Sequence, residues 1–228
     1  MRASRDDGGA LTGWGCRVID GLRVVLQALN DVRRQGYVYI WANLAFVALS
    51  LPVVTMPAAL VALFTVSHHA QTEARGADLD LFWETFKAHV WKALPWGLAM
   101  AAFGFVVASN LISYAPYNGP VIQILRVGWM LGAVVWMGLL LYTWPLYLEM
   151  AEPDVWGASR NAVVMLLRNP FFSLVIMACV VLLSAISTVL IAAWLVLTWG
   201  ALGAIGSAAV IDRVAVVRSV RRENAFNS

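Results

Sequence analysis

The chain has 228 residues, of which 61% are hydrophobic and 13% charged, with a formal net charge of +3. Its mean hydropathy is +0.74, a balance that excludes an ordinary soluble domain. The apolar residues fall in blocks of membrane length between charged segments, which predicts an all-α polytopic membrane helical bundle with a single membrane-embedded domain over 11–212. The excess of positive charge sits at the edges of those blocks, as membrane insertion alone demands, and does not point to nucleic acid.

Residues 1–10 read as a disordered start. No cleavable signal peptide is expected, because the first thirty-six residues hold six arginines and no uninterrupted apolar core. Over 11–35 the apolar positions Leu11, Trp14, Val18, Leu22, Val25, Leu29 and Val32 recur every three or four residues. They predict an amphipathic helix lying in the membrane interface, with a coiled-coil seam as the alternative.

Residues 37–66 carry no charge. As one straight helix this block would run to about 45 Å, too long for one comfortable span. Pro52 and Pro57 interrupt it, with Thr55 between them, and each proline removes an amide donor. The block therefore reads as two arms around a break, either a kinked span or a hairpin that returns to its side of entry. A polar connector is expected over 67–77, then a second amphipathic helix over 78–92 with Asp78 or Asp80 as cap. Spans follow at 93–115 and 121–148, joined by a turn rich in proline and glycine. A third amphipathic segment covers 153–168, stopped by Asn169 and Pro170, with its apolar face expected at Trp156, Val163, Leu166 and Leu167. Two further spans are expected at 171–193 and 197–212, with the turn between them near 194–199. A cytoplasmic basic tail covers 213–228. The pattern is three amphipathic-helix-plus-hairpin units, the first hairpin broken at Pro52 and Pro57.

The distribution of basic residues separates the two readings of 37–66. A single kinked span would place about as many Lys and Arg on each side of the membrane, whereas a hairpin leaves Arg126 alone at the outer face. The positive-inside rule favours the hairpin, with both termini in the cytoplasm of a cell (inner or plasma) membrane.

No chemical constellation stands out. His68 and His69 are adjacent and point about 100° apart on a helix, so they cannot share a metal as an i, i+4 pair would. The serines of the apolar blocks have no histidine near them in sequence and no elbow motif. Cys16 and Cys179 suggest neither a disulfide nor a metal site. The chain is read as non-enzymatic and without cofactor. The break at Pro52, Thr55 and Pro57 is the candidate functional feature, because broken helices leave backbone groups that must be buried or face a watery cavity. Gly97, Ala101, Gly104, Gly128, Gly132, Gly200, Gly203 and Gly206 are expected on helix-packing faces.

The stretch NLAFVALSLPVVTMPAALVALF followed by FWETFKAHVWKAL resembles the hallmark of the YesL-like family of bacterial integral membrane proteins, domain-of-unknown-function family 624. The matching positions are Asn43, Leu51, Pro52, Thr55, Ala58, Ala59, Phe82, Phe86 and Lys87, and YTWPL, with Tyr142 and Pro145, is similar to a second family element. The resemblance implies an integral membrane protein, often associated with carbohydrate-utilisation genes that include sugar ABC transporters, and implies no catalytic residue. The expectation is an accessory or assembly partner of a membrane transport system, plausibly a carbohydrate ABC importer. Its partners would be the lipid bilayer and transporter subunits or further copies of itself. The alternative is a small-solute carrier or channel acting as an oligomer.

Overall fold

The computed structural model describes residues 13–72, 77–189 and 197–226. Among these residues the chain forms eight helices: α1 (Gly13–Arg34), α2 (Gly36–Ser50), α3 (Met56–Thr72), α4 (Leu79–Tyr114), α5 (Pro120–Glu149), α6 (Val155–Arg168), α7 (Pro170–Val189) and α8 (Trp199–Phe226). Helices α4, α5, α7 and α8 are long and apolar enough to cross a membrane. The result is an all-α polytopic bundle. The expected disordered start at 1–10 lies outside the described residues, as does most of the expected turn near 194–199, of which 197–199 are already helical.

The broken block closes as a hairpin. Gln35, at the entrance to α2, donates from Nε2 to the carbonyl of Ala70 near the end of α3, at 2.9 Å. A bond between the first residue of one arm and the last turn of the other is possible only if the arms run antiparallel, so 37–66 is not a kinked span. The turn between them is closed by Thr55, whose hydroxyl donates to the Pro52 carbonyl at 2.7 Å and also reaches that of Leu49. Two prolines break the helical ladder here, and the Thr55 hydroxyl and amide close the turn, the amide donating to the Pro52 carbonyl at 2.9 Å.

The hairpin is short. Its tip meets α4 at Gly97, where an added Cβ would overlap the ring of Pro57. Beyond Gly97, α4 continues to Tyr114, about 26 Å further at 1.5 Å per residue. There Arg126 closes the α4–α5 connection by donating to the carbonyls of Tyr114 and Tyr117 at 2.8 and 2.9 Å. Leu51, Val53 and Val54 at the hairpin tip are exposed and apolar. The end of the bundle that holds Gln35, Ala70 and Glu149 is called the base. Arg33, Arg34, Arg213 and Arg218 lie near it, and Arg126 lies at the far end.

Several expected boundaries are redrawn. Helix α3 runs through Ser67 to Thr72, so only the residues after it remain of the expected connector over 67–77. The amphipathic helix expected at 78–92 and the span at 93–115 are one 36-residue helix with Pro95 inside it. Asp78 caps that helix, accepting from the Leu81 amide at 2.9 Å. Asp154 caps α6 in the same way, accepting from Gly157 at 2.6 Å. The segment expected as a basic tail continues α8 to Phe226.

The amphipathic helices turn only part of their apolar stripes to the protein. In α1 the buried residues are Gly21, Val24, Val25, Ala28 and Val32, while Leu22 of the expected stripe is exposed together with Ile19 and Leu26. In α6 they are Ala158, Ser159, Ala162, Met165 and Leu166, while Trp156 and Leu167 are exposed. Small side chains let helices approach closely, and large apolar ones are equally at home in lipid.

This topology predicts a labelling pattern. In a protein with Cys16 and Cys179 replaced, cysteines at Tyr37 and Ala77 are expected to react with a membrane-impermeant maleimide from the same side, and one at Val54 from neither side. Labelling of Tyr37 and Ala77 from opposite sides would show that the block crosses the membrane.

Candidate functional site

The family-motif positions converge on one unit built from α2, α3 and the first turns of α4. Ala58 and Ala59, early in α3, are fully buried and pack with Phe46 of α2 and with Phe82 and Phe86 of α4. The alanines keep α3 thin enough for its neighbours to close on both sides, and the two phenylalanines, four apart on one helical face, fill the space that remains. Lys87 lies outside this core, its ammonium 5.5 Å from the centre of the Trp83 ring. Leu51 is 81% exposed at the hairpin tip. Asn43 is buried, and its Oδ1 accepts from the backbone amide of Gly200 at 2.9 Å, joining α2 to the start of α8.

Helix α8 threads between the others on three glycines. A Cβ at Gly200 would lie 3.2 Å from the Tyr39 carbonyl, at Gly203 2.7 Å from Ser67 Oγ, and at Gly206 2.7 Å from the Leu141 carbonyl. The last contact has a local cause. Pro145 has no amide, so the carbonyl of Leu141, four residues back, lacks its donor within α5. That carbonyl faces the Cα of Gly206, an approach that only glycine permits. Tyr142 is fully buried in the same core.

The remaining small residues divide. Gly97 meets Pro57, Gly104 meets the Trp136 indole, and Gly132 meets Val107 at ordinary contact distance. Ala101 is exposed and Gly128 faces open space.

A polar cluster at the base, assembled from α3, α5 and α8 and approached by Asp20 of α1, was not legible in the sequence. Glu149 at the end of α5 pairs with Arg218 of α8 at 2.7 Å and stands 3.5 Å from His68 Nε2 of α3. His68 and Glu149 are nearly buried, whereas Arg218 is exposed. Close by, Arg213 pairs with Asp212 at 2.7 Å, approaches Asp20 of α1 at 3.8 Å and lies over the Phe172 ring. Gln71 donates to the Ala204 carbonyl at 2.8 Å. The only sequence signal for this cluster is that each member sits near the end of its own apolar run.

Among the described residues, no three His, Cys, Asp or Glu side chains come together as a metal site. The break offers no polar lining, because the Thr55 hydroxyl is turned onto the Leu49 and Pro52 carbonyls. What the geometry holds is a set of closely packed helices tied at the base by ion pairs.

These features define a polytopic helical membrane protein in which a few polar side chains, among them Gln35, Asn43, Gln71, Glu149 and Arg218, tie its helices to one another. Residues 39–111 match the family model described as "Protein of unknown function, DUF624". The match bears out the resemblance to domain-of-unknown-function family 624 and spans the hairpin and α4. No curated protein and no solved structure matches the chain.

Two predictions follow from the packing. Gly206→Ala and Gly97→Ala each force a methyl against backbone or a proline ring and are expected to cost about 1–3 kcal/mol. Gly128→Ala, in open space, is expected to be neutral or stabilising by up to about 1 kcal/mol. Thermal unfolding in detergent compares the three. The same measurement tests the base cluster: Glu149→Ala and Arg218→Ala are each expected to lower the midpoint, the former by stripping a partner from the nearly buried His68 and the latter by leaving the nearly buried Glu149 carboxylate without its cation.

Proposed function

We propose that the protein is a non-enzymatic accessory protein of a membrane transport system, one that binds partner subunits through the part of the α4–α5 pair that reaches beyond the hairpin. One observation carries this reading. Only 17% of the span of either helix is buried within the chain, against 50% for α8, so the pair stands out from the bundle with most of its surface unpacked. Gly128 gives that surface a place where a partner helix fits closely. The association of the family with carbohydrate-utilisation genes supports the subunits of a carbohydrate ABC importer as partners. The clustering of arginines at the base supports an orientation with the base and both termini in the cytoplasm.

The test is co-expression of the tagged protein with the membrane subunits of such an importer and purification in mild detergent. The subunits are expected to co-purify with the wild type and to be lost with Gly128→Leu, which adds bulk where nothing of this chain lies within 4 Å. Absence of the subunits from the wild-type preparation would count against the reading.

A further inference from the structure

A cavity of about 360 Å³ lies beneath the tip of the α2–α3 hairpin, enclosed by α3, α4, α5, α7 and α8. Its volume falls in the range of built ligand sites, roughly 300–1,000 Å³. Leu63, Phe64, Trp96 and Met100 are buried in its walls, and exposed Met56 and Ala101 mark its mouth. No charged, amide or hydroxyl side chain lines it.

Two of the tryptophans that line it turn their one polar group away. The Trp136 indole donates to the Met100 carbonyl at 2.9 Å, and that of Trp96 to Ser159 Oγ at 3.2 Å. Both rings therefore offer hydrocarbon surface to the cavity. A polar solute entering it would lose its hydrogen bonds to water without replacement. An empty cavity would forfeit the dispersion contacts of its lining.

The mouth lies at the level of the break, where Pro57 meets Gly97 and exposed apolar side chains surround the opening. At that depth the surrounding solvent is hydrocarbon chain. We propose that the cavity binds an acyl chain of a bilayer phospholipid, entering between the start of α3 and the middle of α4. The chain fills the space under the hairpin tip and completes the packing that the short hairpin leaves open.

Reconstitution into vesicles of phosphatidylcholine that carry a diazirine near the end of one acyl chain provides the test. Irradiation is expected to attach lipid to wall residues such as Met100 and Met137, identified by peptide mass spectrometry. Ala101→Trp, which plugs the mouth, is expected to abolish that attachment. Ala102→Trp, at the adjacent exposed position outside the cavity, is expected to leave it unchanged. If Ala101→Trp disturbs folding, read as loss of a monodisperse elution profile, Met56→Trp plugs the mouth from the other side. Attachment confined to outward-facing residues such as Phe105 and Val106, equal in wild type and plugged variants, would mean bulk lipid only and overturn the proposal. So would wall residues free of attached lipid in the wild type.

Discussion

The close approach of the α8 backbone to three other helices is the contact on which the bundle depends. Gly200, Gly203 and Gly206 recur every three residues and meet α2, α3 and α5 in turn. In a membrane, burial of apolar side chains gives little net drive to association, because lipid tails are as apolar as leucine. Helices are then held by the density of their contacts and by the few hydrogen bonds between them. A methyl on this ridge would separate α8 from all three neighbours. It would also stretch the bond from Gly200 to Asn43 and the bond from Gln71 to the Ala204 carbonyl.

The polar groups of the bundle serve the same end. Thr55, Gln35, Asn43, Gln71 and Arg126 each spend a side-chain donor or acceptor on a backbone group elsewhere in the chain. Each of these bonds fixes the relative height of the elements that it joins, and where the group lies within the hydrocarbon, as Asn43 does, no water is there to replace it. The family motif, seen in this light, is the joint between the hairpin and α4.

The hairpin was legible because proline and charge obey simple rules: Pro52 and Pro57 each remove an amide donor and break the helix, and Arg and Lys gather at one end of the spans. The cap of α4 was legible, as Asp78 or Asp80, for a similar reason, since capping is local. The orientation of the amphipathic helices was not. A stripe drawn through Leu22, or through Trp156 and Leu167, marks an apolar face for the membrane and does not say which residues meet the protein. Gly21, Ala28, Ala158 and Ala162 win the inner face because they allow contact. The ion pairs of Glu149 and Arg213 were equally out of reach, since each joins residues on separate helices that only the fold brings level. Helix α4 passed through the expected boundary at 92–93 because Pro95 lies on its exposed side and does not divide it.

The shortness of the α2–α3 hairpin has a consequence for the membrane itself. On the base side of the Pro57–Gly97 contact, the bundle contains both arms of the hairpin beside the longer helices. On the far side those two helices are missing, while α4 and α5 continue. The molecule is therefore a wedge, and it displaces more lipid from one leaflet than from the other. A wedge of this kind relieves packing stress where the leaflet at its broad end is stretched, and its shape is set by where two prolines stop a pair of helices.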